Sequence, residues 1–372
     1  MSNTLTPLVP FVVASFQRVL RQTGAVLGVV NSSISADIAA QGQTVEIPKA
    51  APGSPYTITP GPVPPALVNK TVSSGQLVLD QARAERFHVT GEDWKAMGAR
   101  GTDFRVASID EAISSLVNEA SAFVHGKGAI AASYAMGSAG ESPFATKADV
   151  LADLAFFLDT QKAPAMDRSL IMNPRTFRDL FKLNEFQRLN ESPEGVSFAA
   201  GTMRDLQGLR VGWDQGVASH TSGTGTGYEV DGALEAGDVT LEVKTGSGTI
   251  LPGDVISFAD GVYQYVVKSF AGSTVTLYNE LLEDVADEAA ITLVGGARNL
   301  SLHRDAIYWA SRAPAEVPGG DMADEVQIVS DPVTGLGMRL ASYPGYHARQ
   351  FELSILYGAE VVRPELANLL VS

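Results

Sequence analysis

Cysteine is absent from this 372-residue chain. Disulfides and thiolate metal sites are therefore excluded, and nothing in the composition reports a redox compartment. No apolar run approaches the roughly 20 residues of a membrane-spanning helix. The N-terminal stretch MSNTLTPLVPFVVASFQRVLRQ has a short apolar core, but Arg18 and Arg21 follow that core. A secretory signal carries its positive charges ahead of the core. The expectation is a soluble protein that stays in the compartment where it is made. Charge is scarce and one-sided: 19% of residues are charged, with 27 Lys+Arg against 42 Asp+Glu, a net −15. Such a chain repels nucleic acid, so any DNA nearby is expected as a neighbour rather than a ligand. The imbalance is local. Thr224–Gly296 holds twelve acidic residues and two basic ones (Lys244, Lys268), leaving only −5 for the other 299 residues.

Patterns for chemistry are missing as well. There is no H-E-x-x-H, no G-x-S-x-G and no Walker A motif. His303-Arg304-Asp305 imitates a kinase catalytic loop, but Ala310 stands where that loop needs Asn. The run Gly223-Thr-Gly-Thr-Gly227 does not join a strand to a helix, so it reads as linker rather than phosphate loop. His88, His125, His220, His303 and His347 are scattered without metal-ligand spacing. Glu283, Asp284, Asp287 and Glu288 lack the spaced oxygens and central Gly of a calcium loop and read as a solvated acidic face. No catalytic, cofactor-binding or metal residue is assigned, and no cofactor is expected. Unrecognised paired carboxylates, with the acidic segment as a substrate-binding module, would make the chain a hydrolase, the alternative of a different class.

What the chain does contain is an α+β pattern. In Thr102–Gly126, apolar residues recur every three or four positions (Ile109, Ile113, Leu116, Val117, Ala120, Val124), the stripe of one helix face. Ser108 and Glu111 form a possible capping box, Thr102 and Asp103 leave an earlier start open, and Gly126 and Gly128 weaken the far end. The one-sided strand Arg349–Tyr357 is the candidate layer for this helix to cover. Helices are also expected at Pro10–Gln22, Asp149–Leu158 and Thr176–Leu183. Strands are expected at Thr44–Pro48, Gln76–Asp80, Ser169–Met172, Leu209–Trp213, Asn299–His303, Glu325–Val329 and Gly337–Ser342. Between the first two strands lies an uncharged loop, Ala50–Asn69, with seven prolines from Pro48 to Pro65. It reads as a semi-stiff excursion covered by another chain. After the flexible-linker composition of Ser219–Gly227, six short β-runs (Tyr228–Val230, Val239–Val243, Asp254–Phe258, Val262–Val267, Thr274–Tyr278, Ala290–Val294) read as a small antiparallel barrel or sandwich that folds by itself.

Several segments resemble the major capsid (coat) proteins of tailed bacteriophages. They are Arg168-Ser-Leu-Ile-Met-Asn-Pro174 after Pro164, Leu206-Gln-Gly-Leu-Arg-Val-Gly212, Asn299-Leu-Ser-Leu-His-Arg-Asp-Ala306 and Leu356-Tyr-Gly-Ala-Glu-Val-Val-Arg-Pro-Glu365. Leu251-Pro-Gly-Asp-Val-Ile-Ser-Phe258 is similar to a strand of the inserted β-domain of short-tailed-phage coat proteins. The resemblance implies the Hong Kong-ninety-seven-type capsid fold with no enzymatic activity. Its parts would be an N-terminal arm (1–43), an extended loop (44–90), and a peripheral domain (91–146 plus 320–357) with spine helix 102–126. An axial domain (147–218, 297–319 and 358–372) and an inserted β-barrel (219–296) would complete it. It further implies hexamers and pentamers of this chain in an icosahedral shell around double-stranded DNA, assembled in the host cytoplasm and localised to the virion, without membrane. A scaffolding protein, a portal and a decoration protein are the implied partners. A nanocompartment shell of the same fold is the related alternative. Some relatives cross-link a loop Lys to an Asn; Lys49 and Lys70 lie in the right region, but no Asn or Glu partner is assignable, so cross-linking is not expected.

Overall fold

The computed structural model describes residues 25–34, 40–50, 57–58, 60, 72–97, 101–145, 147–183, 205–217, 219–259, 261–316, 319–331 and 334–372. The expected N-terminal helix Pro10–Gln22, Lys70 and most of the uncharged loop lie outside the described residues.

A 30-residue helix, Gly101–Ile130, is the longest element, spanning about 45 Å at 1.5 Å per residue. Ile109, Ile113, Leu116, Val117, Ala120 and Val124 are buried along it. They share one continuous core with Leu353, Ile355 and Tyr357 of the long strand Ala348–Val361. Helix and strand pack as the periodicities predict, and Phe123 meets Tyr357 edge-to-face at 5.4 Å. The helix ends differ from expectation. Ser108 and Glu111 lie well inside it and cap nothing, and the chain stays helical through Gly126 and Gly128. Packing explains the second point: a Cβ on Gly128 would come within 2.7 Å of Leu300 Cδ2 and Ile307 Cδ1. Glycine here costs about 1 kcal/mol of helix propensity. In return the helix end lies flush on the strands below.

Ala348–Val361 is the centre of the first sheet. One edge pairs antiparallel with Gln81–Thr90, from Tyr357↔Gln81 to Ala348↔Thr90. The other edge pairs with Gly337–Gly345 and, further along, with Ile307–Arg312; Glu325–Ser330 closes that side. Two boundaries therefore move. Residues 81–90, expected in the extended loop, are a strand of this sheet, stacked on it through Phe87 and Phe351 at 5.2 Å. Residues 307–312, expected with the axial part, also join it. What projects is a two-stranded ribbon, Thr44–Ala50 against Val72–Val78. Its base is fixed where Ile47, Leu77 and Leu79 pack on Ala310, Leu356 and Val362.

A second sheet runs in the order Tyr134–Gly137, Ala367–Val371, Gly296–His303, Arg168–Met172, Leu209–Trp213 and Asp205–Leu206. Its central strands Arg168–Met172 and Ala367–Val371 are buried at every residue. That is what strands covered on both faces require. Val150–Thr160 packs on this sheet, and so does the end of the long helix. Asn173 starts the next helix, Pro174–Phe181: its side chain accepts from Thr176 N at 2.7 Å, with Pro174 in the first turn.

The six expected β-runs form strands paired antiparallel in a ring. The order is Val255–Phe258, Ala290–Val294, Tyr228–Val230, Thr240–Lys244, Thr274–Leu277, Gln264–Ala271, returning to Val255–Phe258. Alternation sets the inward face: Leu241 and Val243 are buried while Thr240 and Glu242 are exposed. The ring is not merely tethered. Gln264 and Tyr265 pair with Ala135 and Tyr134 of the second sheet, and Tyr134 and Phe157 enter the ring's own core. The junction Ser219–Gly227 is also fixed rather than flexible. Ser219–His220 pairs with Ala297 and Gly296, Gly223 N donates to Asp254, and Thr226 bridges to Ser247.

Candidate assembly surfaces

The residues with chemical potential do not converge. His303, Arg304 and Asp305 form a tight turn in which Asp305 N donates to His303 Nδ1 at 3.2 Å, and Ala310 is buried in a strand. The carboxylates expected as a solvated acidic face are exposed, Glu283 only partly, and three of them also hold loops. Asp284 accepts from Ala236 N at 2.8 Å, Asp287 from Gly232 N at 2.8 Å and Lys244 Nζ at 3.1 Å, and Glu283 from Val262 N at 3.0 Å. The Gly232 amide is the largest influence holding Asp287 below its usual pKa. Among the described residues no three His, Asp or Glu side chains group as metal ligands. Lys49 donates to the Val362 carbonyl at 3.2 Å and lies 3.3 Å from Glu365, fastening the loop end of the ribbon to its own subunit.

Two buried acids, unremarked in the sequence, organise the interior. Asp214 accepts from Ser121 Oγ (2.7 Å), Val26 N (3.2 Å) and Gly216 N (2.7 Å). It thereby ties two distant parts of the chain, Val26 and the turn Asp214–Gly216, to the long helix. Asp254 accepts from Leu251 N (2.8 Å) and Gly223 N (3.0 Å), with His220 Nε2 at 2.8 Å. No local pattern marks either residue, because every significance they have comes from partners folded onto them.

His125, on the buried face of the long helix, is fully enclosed, and neither ring nitrogen has a hydrogen-bond partner among the described residues. Burial pushes its pKa down to about 4, with the Asp214 charge and the Arg298 backbone opposing the shift only in part. A depressed histidine pKa means that the unfolded chain takes up the proton first. Its effect is nil above about pH 6.5. As pH falls from there to about 4 the folded state loses about 3 kcal/mol, and the loss is constant below. Denaturant melts of wild type and His125→Met at pH 7, 5.5 and 4.5 check this: the variant loses less stability on acidification. Parallel pH profiles would remove His125 as a cause.

The outer surface is where the molecule offers contacts. Tyr346, at the tip of the hairpin joining Gly337–Gly345 to Ala348–Val361, is 93% exposed. A cleft of about 340 Å³ opens beside it, lined by Val89, Trp94, Arg349 and Phe351. Ile328 and Met322 are exposed as well. Apolar groups of this size standing in water suit contacts with another chain.

No protein-family model matches the chain, and no curated protein matches it. Solved structures do. A chain of Mycobacterium phage Che8 superposes with a TM-score of 0.50 and 14% identity, covering 92% of this chain and 89% of that one. The chain has a phage capsid fold. The capsid structure of Cyanophage P-SCSP1u follows with a TM-score of 0.49 and 12% identity, covering 92% and 86%. The virus-like particle from Pyrococcus furiosus matches with a TM-score of 0.45 and 10% identity, covering 97% and 98%. The assignment of fold rests on the Che8 superposition. In the chain, the six-stranded ring follows the strand Leu209–Trp213.

Proposed function

We propose that this chain is the major capsid protein of a tailed phage, self-assembling into an icosahedral shell around double-stranded DNA. The observation that carries the reading is the phage capsid fold over 92% of the chain. The exposed ribbon and hairpin tip supply the heterologous contacts that close into hexamers and pentamers. The acidic composition encloses DNA without binding it. On this reading residues 1–43 are the N-terminal arm and the ring is the inserted barrel of the short-tailed-phage type. The spine helix and first sheet form the peripheral domain, and the second sheet forms the axial domain. The protein is structural rather than enzymatic. A scaffolding protein guides assembly in the host cytoplasm, a portal occupies one vertex, and a decoration protein has the acidic ring as an available outer surface. Purified subunit, or subunit co-expressed with an assembly chaperone, is expected to give megadalton particles by light scattering and round shells by negative stain. A chain that stays monomeric under all these conditions overturns the reading.

A further inference from the structure

Arg298 lies in Gly296–His303, just beyond the last ring strand, and its side chain is fully buried. Its Nη1 donates to the Gly253 carbonyl of the ring and lies 3.5 Å from the Ala129 carbonyl. Ala129 belongs to the last turn of the spine helix, where carbonyls lack helical partners and the helix dipole favours a cation. The two segments that the guanidinium bridges are in direct contact. A Cβ on Gly253 would sit 3.1 Å from Ile130 Cα, and Gly253 has φ +88°. Next to Gly253, the buried Asp254 carboxylate is held by Leu251 N, Gly223 N and His220 and faces Arg298 electrostatically.

The energetics separate this arginine from a simple stabiliser. Its Nε and Nη2 have no partner among the described residues. Burying a charge so incompletely paired is costly, and apolar side chains of similar volume often replace buried ion pairs without loss. What an apolar residue cannot do is hold two carbonyls on different parts of the molecule in one fixed geometry. We propose that Arg298 is a buried latch that makes the C-terminal turn of the spine helix and the ring segment Leu251–Asp254 open and close as one unit. The ring then follows the spine helix rather than swinging on its junctions. This inference concerns the subunit itself and does not depend on the shell reading.

Native-state hydrogen exchange on the full chain tests it. In wild type, the amides of Lys127–Ala131 and of Leu251, Gly253 and Asp254 are expected to share one opening free energy once their intrinsic exchange rates are divided out. Arg298→Met is expected to raise exchange at least tenfold in both segments while Thr240–Lys244 and Thr274–Leu277, across the ring, keep their protection. Both contacts come from Nη1 alone, so Arg298→Lys, which keeps one charged nitrogen on a differently shaped side chain, is expected to fall between them. Loosening of Leu251–Asp254 alone, or equal loss of protection throughout the ring, overturns the latch. If Arg298→Met does not fold, the wild-type measurement still decides, because distinct opening free energies for the two segments are incompatible with a single unit.

Discussion

Leu116→Asp is expected to abolish folding rather than merely block assembly. Leu116 is 3% exposed at the middle of the spine helix, inside the core that joins this helix to Ala348–Val361. Removing the leucine forfeits about 2–3 kcal/mol of apolar burial. The carboxylate then either stays charged without a partner or takes up a proton, which adds several kcal/mol more. A domain has only about 5–15 kcal/mol in total. The measurement is the soluble fraction on expression and the near-ultraviolet circular dichroism of what is soluble; both should collapse. Leu116→Met, nearly equal in volume, should cost under about 1.5 kcal/mol and retain both. A soluble, cooperatively melting Leu116→Asp subunit would mean that the helix face has been misread.

The spine helix was legible because its burial follows one local rule: apolar residues every three or four positions keep facing the same sheet. The ring strands were legible for the matching reason. Leu241 and Val243 alternate with exposed neighbours, and turn residues separate the runs. Elements that broke these rules were missed. Gln81–Thr90 is an edge strand exposed at every position from Ala82 to Arg86, on both faces, so it lacks a clean alternation and carries no strand signal. Arg83 nevertheless hydrogen-bonds to Glu119 of the spine helix, a partner only the fold supplies. Tyr134–Gly137 and Ala367–Val371 pair in parallel across more than 200 residues, and the latter is buried on both faces. Strands of that kind carry no period to read. Gly126 and Gly128 pointed to a helix end, and packing against Leu300 and Ile307 overrode propensity.

The charged interior was less legible still. Asp214, Asp254 and Arg298 are single ionisable residues in loops or strand ends, where the ordinary expectation is a solvated side chain. Their partners lie far away in sequence. Val26 is 188 positions from Asp214, and Gly253 is 45 from Arg298. The linker reading of Ser219–Gly227 failed for the same reason: composition reports the freedom of an isolated segment, while Asp254 and Gly296 remove that freedom after folding. Small-residue composition marks a junction but does not report its stiffness. The junction is a joint held from inside.

Excising residues 51–71 and rejoining Ala50 to Val72 through Asn-Gly is expected to leave a folded subunit that no longer assembles. Ala50 and Val72 are already paired in register, so a two-residue turn closes the ribbon without disturbing it. The ribbon base keeps Ile47, Leu77 and Leu79 on Ala310, Leu356 and Val362, and Lys49 keeps Val362 and Glu365. Shortening the connection lowers its closure cost by about 2 kcal/mol, so the thermal midpoint should hold or rise slightly. Assembly is expected to respond differently, because on the shell reading the excised uncharged, proline-rich segment makes its contacts with other subunits. Light scattering should therefore show the megadalton species lost while the melting curve is retained. Particles formed in normal yield would move the contact elsewhere, with the Tyr346 tip next in line. A variant that fails to fold would place the excised residues in the subunit's own core. Only loss of assembly with an intact melt separates a loop that joins subunits from one that builds them.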